Sequence, residues 1–486
     1  MTAPLYLAPR LEHRLTSLLG TKGFLHQLAG ALGSPLNVVL PDQIADNLRR
    51  FQEVYERRNL SGKVYFAHKA NRSSALVRRL ADTCAHIDIA SLGELRHALG
   101  SGFSPDRIMA TGPKSPEFLW LAARTGVTVN LDSADELETL VAIVTKHQLP
   151  PARVLVRLSE FDSTGATVLS RRSRFGTPVD AFSRLLDALE RHRDTVRLTG
   201  IAHHLDTIGL TEKATALESC IALMHECAAR GLSPHVIDIG GGFGVNYLAD
   251  SAQWETFTSE LSNAVLGSRP PLTWRNHGYG LRNEGGTLRG ALGLYPAHRP
   301  LAGPRYLDEL LGLQAPSLSR PLATLLLENL HELYIEPGRA LVDQCGVVLA
   351  RVLEVRDNAG GECFVRLEMN ASDVSLEEHG VLMDPVLVPR PDRTCPSTGP
   401  VGVYLIGNLC LEADFITRRM VFLPHRPSPG DLLTFPNTAG YFMDFSADHA
   451  LHQPIARKVA AYQDGGRWRW CLDENYWPIT SGSEDC

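Results

Sequence analysis

At 486 residues the chain exceeds the roughly 250 to 300 that one hydrophobic core usually serves, so two domains are expected. A hydrophobic fraction of 44%, a charged fraction of 21% and a formal net charge of −6 describe an ordinary globular protein with no call on nucleic acid or an anionic membrane, so any anion site must be local. Nine cysteines without CxxC pairs or metal-like spacing, an N-terminus lacking a leader's apolar core, and no run of about 18 apolar residues argue against disulfides, metal and a membrane span, and for a cytoplasmic protein.

Residues 1–32 have a helical pattern, which Gly33-Ser34-Pro35 breaks ahead of a short extended run, LNVVL, at 36–40. Asp42 is placed to cap a helix carrying Ile44, Leu48, Phe51 and Val54 at helical spacing. A regular rhythm follows. Strand-like segments stand at 63–67, 86–90, 107–111, 128–132, 153–158, 199–205, 235–240 and 333–337. Helical segments such as Ala75 to Ala81, Gly93 to Leu99, Ala134 to Val144 and Ala214 to Ala229 separate the first seven. Eight strands alternating with helices predict a (β/α)8 barrel of the TIM type, with a doubly wound open sheet as the competing arrangement.

The connection from 244 to 332 is long for a plain loop and reads as an insertion on the catalytic face. It holds a cluster of Trp274, Asn276, His277, Tyr279 and Arg282, which would suit a carboxylated or conjugated substrate. Beyond residue 345 short β-branched runs punctuated by Pro and Gly predict a β-sandwich or barrel.

Polar groups gather at the strand ends. Lys69 follows the first strand in VYFAHKAN, His204 closes the sixth in GIAHHLDT, and Glu336 with Arg339 follows the eighth in IEPGR. In HVIDIGGGFG a buried run meets Gly240, Gly241 and Gly242, whose bare backbone can turn N–H groups toward an anion or can simply make a tight turn. Barrel geometry carries all of these to one mouth, where active sites of this architecture lie.

In that order the motifs resemble the fold-type III pyridoxal-phosphate decarboxylases, which act on diaminopimelate, ornithine and arginine and join an alanine-racemase-like barrel to a C-terminal β domain. The likeness runs from Leu36 to about residue 457 through VYFAHKAN, HIDIASLGEL, TGP, SRFG, HHLDT, DIGGGFG, EPGR, GNLCLEAD and NTAGY. It implies an N-terminal segment, 1–41, contributing to the β domain, a barrel at 42–343 with the insertion at about 244–332, and a β domain at 344–486. It also implies pyridoxal 5'-phosphate as cofactor, with Lys69 as the Schiff-base lysine and Glu336 facing the ring nitrogen, where a carboxylate favours the charged pyridinium. His204 takes the place of the histidine that stacks on the ring, and Arg157 that of a nearby arginine. Thr207, Gly240, Gly241, Gly242, Arg339 and Tyr441 match phosphate-binding positions. Asp88 and Glu94 match positions that orient Lys69 or the ring, although either could be a helix-start carboxylate. Cys410 corresponds to a cysteine supplied by the neighbouring subunit, which helps control protonation. A homodimer with shared sites is implied.

The chain departs from the pattern in three places. Asp206 stands where glycine is usual. Leu411 directly follows Cys410 where a carboxylate reads a distal amine, with Glu412 one residue late and therefore on the other face of an extended segment. Residues 367–382 lack the arginine, proline and tyrosine that bind a distal carboxylate; Glu368, Asp373 and His379 are candidates in their place, with surface roles as the alternative. The expected activity is therefore decarboxylation of an α-amino acid or conjugate other than meso-diaminopimelate, in siderophore-like secondary metabolism. A racemase or epimerase is the alternative enzyme, disfavoured by Glu336 where racemases carry arginine. A catalytically degenerate regulatory homologue is the other alternative.

Overall fold

The computed structural model describes residues 4–161, 172–393 and 399–478. The chain divides into two compact units. One, here the barrel unit, comprises residues 44–244, 301–341 and the segment from 477; the other, the β unit, comprises residues up to 43, 245–300 and 342–476. The connection from 244 to 332 is thus shared between them.

The barrel strands are β1 Gly62–Ala67, β2 His86–Ile89, β3 Ile108–Ala110, β4 Thr128–Leu131, β5 Ala152–Ser159, β6 Val196–His203, β7 Val236–Asp238 and β8 Glu332–Ile335. Each pairs in parallel with the next, and β8 pairs with β1, so the sheet closes on itself and has no open edge. The open-sheet alternative is excluded. All eight coincide with the apolar runs read from the sequence, because a strand covered on both faces needs an almost continuous apolar stretch. Inside, Tyr65, Met109, Leu155, Ala202, Val236 and Tyr334 pack into one buried cluster, with the Tyr65 and Tyr334 rings 5.2 Å apart.

The helices after β1 to β4 start alike. Ser73, Ser91, Ser115 and Ser133 each accept a hydrogen bond from the N–H three residues on, at 3.2, 3.1, 3.3 and 3.2 Å. Four serine caps satisfy donors that helix starts leave orphaned and fix where each strand-to-helix loop ends. Helix Pro41–Arg58 begins one residue before Asp42, which therefore lies inside the first turn rather than ahead of it. Its face of Ile44, Leu48, Phe51 and Val54 is buried as the spacing predicts.

In the β unit the N-terminal helices His13–Gly20 and Lys22–Leu32 pack Leu15, Leu18, Leu25 and Leu28 into a core shared with Leu36 and Val38. The strand Leu36–Val39 is inserted between Gly346–Asp357, antiparallel, and Arg457–Asp464, parallel. The N-terminal segment therefore completes the β domain as expected. The same sheet continues through Cys363–Leu367, Val401–Ile406 and Phe415–Leu423.

Residues 245–300 supply a helix, Ser251–Leu266, and a hairpin, Leu281–Glu284 with Thr287–Gly290. Their aromatic groups serve packing inside this unit. Trp274 lies 5.5 Å from the Phe415 ring and 5.4 Å from Phe364, and buried Tyr279 donates to Glu377 at 2.9 Å. The tryptophan and tyrosine that the sequence offered to a substrate are thus held by neighbours of their own unit.

Tyr65 is 2% exposed within the buried cluster of the barrel, and Tyr65→Ala is expected to weaken the barrel by about 3 to 5 kcal/mol through lost burial and an unfilled cavity. The check is a denaturant titration with tryptophan and far-UV probes, in which the barrel transition moves to lower denaturant.

Candidate active site

Closure of the sheet sets the C-terminal strand ends on one rim, and each end delivers a polar side chain. β1 runs into a single 3₁₀ turn, His68–Ala70, which presents Lys69; His204 follows β6, Glu336 follows β8, and Arg157 projects from β5. Lys69, Arg157, His204 and Glu336 line one cavity of about 580 Å³, with Asp206 on its wall.

The glycine loop is tied to this rim by backbone bonds. β7 and β8 pair through Tyr334 and Asp238, and beyond the strands Glu336 N–H donates to the Gly240 carbonyl at 2.9 Å. Side chains are excluded here by contact. A Cβ on Gly240 would lie 2.6 Å from His204 Nδ1, one on Gly241 2.8 Å from the Glu336 carbonyl oxygen, and one on Gly242 2.9 Å from Lys213 Nζ. Gly240 and Gly242 also adopt φ of 64° and 88°, a left-handed conformation that glycine alone adopts readily. The Thr207 carbonyl is 3.3 Å from the same Gly242 position, so the loop after β6 borders the triplet, and the Thr207 hydroxyl accepts from Gly209 N–H at 2.9 Å.

Three carboxyl groups share the volume behind the cavity. Asp88, Asp238 and Glu336 are 2%, 0% and 9% exposed. Burial pushes the Glu336 carboxyl well above its usual range, and repulsion from Asp238 and Asp88 adds to this against attraction to Lys69 and Arg157. Burial likewise raises Asp238 to about 7, although its carboxylate accepts the Gly240 N–H at 2.8 Å. Asp88 is raised by burial and partly restored by Lys69 and by the Thr111 hydroxyl, which donates to it at 2.6 Å.

His204 is pressed the other way. Desolvation, followed by the charges of Lys69, Arg157 and Lys213, lowers its pKa well below the ordinary histidine value, so the ring is neutral at pH 7. Its Nδ1 accepts the Gly241 N–H at 3.1 Å, which leaves the proton on Nε2. Arg157 is held by Asp132 at 3.4 Å and by the face of Phe175, 5.0 Å away.

Of the residues singled out in the sequence, Lys69, Asp88, Arg157, His204, Thr207, the three glycines, Glu336 and Arg339 belong to the barrel unit; Cys410 and Tyr441 belong to the β unit. Arg339 is half-buried three residues past Glu336. Glu94 is a capping carboxylate: it accepts Ala90 N–H at 2.6 Å and approaches His68 Nδ1 at 3.2 Å. Cys410 is exposed, in a turn whose Asp414 accepts from Leu409 and Ala371 N–H, both at 2.9 Å. Tyr441 has φ of 74° and packs near His379 and Phe445.

Two further groups emerge only from the fold. Asp238 is a carboxylate inside a strand of otherwise apolar residues, a placement that signals function once the strand is known to be covered on both faces. Lys213 sits in the first turn of helix Leu210–Ala229, where a lysine would ordinarily be read as solvated.

A family model described as the pyridoxal-binding domain of pyridoxal-dependent decarboxylases matches residues 41–271. An uncharacterized protein of Sinorhizobium fredii is 31% identical, with 94% of each chain covered. A diaminopimelate decarboxylase of Actinosynnema pretiosum is 28% identical, over 90% of this chain and 86% of that one. Among solved structures, a diaminopimelate decarboxylase from M. jannaschii superposes with a TM-score of 0.71 at 18% identity, covering 92% of this chain and 91% of its own. The Paramecium bursaria Chlorella virus arginine decarboxylase bound to agmatine gives 0.65 at 19%, covering 90% and 99%. At these identities the structures establish likeness of fold.

Two outcomes are expected. Gly241→Ala forces a methyl group against the Glu336 carbonyl; about 1 to 3 kcal/mol of strain should weaken ligand binding in the cavity roughly tenfold or more, read by absorbance titration with pyridoxal phosphate. Asp238 keeps in the folded state a proton that the unfolded chain loses near pH 4, so apoprotein stability should fall as pH rises from about 4 to about 7. Asp238→Asn, which keeps the acceptor for Gly240, should flatten that slope in urea titrations repeated across the range.

Proposed function

The chain belongs to the fold-type III pyridoxal-phosphate-dependent amino-acid decarboxylases, and within that family we propose that it acts on an α-amino acid or amino-acid conjugate other than meso-diaminopimelate, in siderophore-like secondary metabolism. The observation that carries the reading is the single cavity shared by Lys69, His204, Glu336 and Arg157 beside the glycine loop. These residues fit the cofactor: a primary amine, a neutral aromatic ring, a buried carboxyl with its pKa raised and a loop too tight for any Cβ.

When bound, pyridoxal phosphate supplies an aldehyde for condensation with amines and a ring able to take up the electron pair left when CO2 departs. Lys69 Nζ, on the cavity wall, would hold the cofactor's aldehyde carbon until a substrate amine takes its place. The Glu336 carboxyl, raised by burial and then by Asp238 and Asp88, would face the ring nitrogen, share a proton with it and, as a carboxylate, favour its cationic form. His204, fixed by Gly241 N–H, offers a neutral face for stacking. Gly240, Gly241 and Gly242 would leave room for the phosphate, with the Gly242 N–H, Thr207, Arg339 and, from the second subunit, Tyr441 to hold it, and Asp88 would help to orient Lys69. Cys410, from the second subunit of a homodimer, returns a proton to the substrate carbon.

The narrowing of substrate rests on the β unit. Three of the four acids of residues 367–382 have structural partners there: Glu368 pairs with Arg351 at 3.0 Å, buried Asp373 closes a capping box with Asn370, and Glu377 receives bonds from Tyr279, Thr417 and Arg418. Leu411 is 57% exposed at the position directly after Cys410 where a carboxylate would meet a distal ammonium, and Glu412 comes one residue late. No helix among the described residues is long and apolar enough to cross a membrane.

The test is a mass-spectrometric screen of α-amino acids and conjugates for loss of CO2, run in heavy water. Turnover with incorporation of one solvent deuteron is expected, with none from meso-diaminopimelate. Lys69→Ala should abolish the imine absorbance and turnover together. Efficient release of CO2 from meso-diaminopimelate would sink the narrowing, exchange without CO2 would favour the racemase, and an absent imine band in wild type would favour the degenerate homologue.

A further inference from the structure

Lys213 is a buried ammonium that none of the roles above uses. It is 1% exposed, and its Nζ donates to the Gly241 carbonyl at 2.5 Å. The Phe243 and Tyr306 rings flank it at 5.2 and 5.5 Å. Desolvation lowers its pKa to about 8, so the group keeps its charge at neutral pH, and among the described residues it forms no ion pair with a carboxylate. A cation in the first turn of a helix also opposes the helix dipole. Burying a cation against one carbonyl and two ring faces, without an opposite charge, still costs stability, which asks for a compensating use.

The peptide it grips supplies one. In a planar trans peptide the carbonyl and the following N–H point to opposite sides. With the Gly241 oxygen held down against Lys213, the N–H of exposed Gly242 is turned up and away from the ammonium. Gly242 is the triplet residue bordered by the loop that carries Thr207. That loop also carries Asp206, a cavity-wall carboxylate that would repel a phosphate. A positive charge directly beneath the triplet counters that repulsion.

We propose that Lys213 is a positioning residue of the cofactor's phosphate site, fixing the Gly241–Gly242 peptide with its N–H toward the anion and offsetting Asp206. The proposal rests on the reading that the glycine loop holds the phosphate.

The experiment compares pyridoxal phosphate with pyridoxal, which lacks the phosphate, by imine absorbance on apoprotein. Wild type, Lys213→Met, Lys213→Gln and Lys213→Arg are titrated with each, and apoprotein melting is recorded alongside. Lys213→Met should bind pyridoxal phosphate at least about tenfold more weakly while pyridoxal changes by less than about twofold. Its apoprotein should melt no lower than wild type, since an uncompensated buried charge is gone. Lys213→Gln, a donor without charge, should fall between, and Lys213→Arg should recover most of the affinity. Parallel loss of both ligands, or an unchanged preference for pyridoxal phosphate in Lys213→Met and Lys213→Gln, would overturn the role of Lys213 alone. A wild type that binds both ligands equally would overturn the phosphate reading of the glycine loop and this inference with it.

Discussion

Asp88, Asp238 and Glu336 are confined to one poorly solvated volume at the end of the barrel, and that crowding governs the chemistry around it. Three full negative charges are disfavoured there, since burial opposes each of them, Asp238 and Asp88 add to it at Glu336, and Asp88 adds to it at Asp238. Lys69 and Arg157 neutralise part of the charge from the cavity side. The remainder is met by protons retained on carboxyl groups. A site poised in this way can exchange a proton with a basic nitrogen entering the cavity without creating an isolated ion, which a solvated glutamate could not do as selectively. The barrel makes the crowding possible: parallel pairing of β2, β7 and β8 with their neighbours fixes the backbone of all three acids before their side chains interact.

Much of this was legible in the chain itself. Runs such as KVYFA, RVLVRL and HVIDIG announce strands because a doubly covered strand has little room for polar residues. Lys69, His204 and Glu336 were conspicuous as charged or polar groups at the ends of such runs. Other features depend on partners far away in sequence. Lys213 lies on a helix with many polar neighbours, and only the fold shows its ammonium under Gly241. Asp238 was visible within DIGGG, yet its weight as a third carboxyl follows only from the nearness of β2 and β8. The division of the 244–332 connection between two units has no local signature either, because hydrophobic period reports which face is buried and not against what.

The glycine triplet illustrates how closely sequence and site constrain one another. Each of its three residues meets a different group, the His204 ring, the Glu336 backbone and the Lys213 side chain. The same three neighbours impose order on what the loop offers a ligand. His204 consumes the Gly241 N–H and is thereby held in one tautomer, while Asp238 consumes the Gly240 N–H. The loop therefore couples the state of the imidazole to that of the carboxyl cluster through two short backbone bonds.

The strand Leu36–Val39 carries a consequence for biosynthesis. Its two sheet neighbours begin at Gly346 and Arg457, so on the ribosome it emerges long before either exists. Until the strand that starts at Arg457 has been translated, LNVV is a short apolar edge with bare amides, the kind of surface that chaperones bind and that associates wrongly with other chains. The barrel unit faces a smaller delay, since its last strand ends at Ile335. The order of translation thus allows the barrel to form first, with the N-terminal segment waiting for the rest of its own sheet to be made.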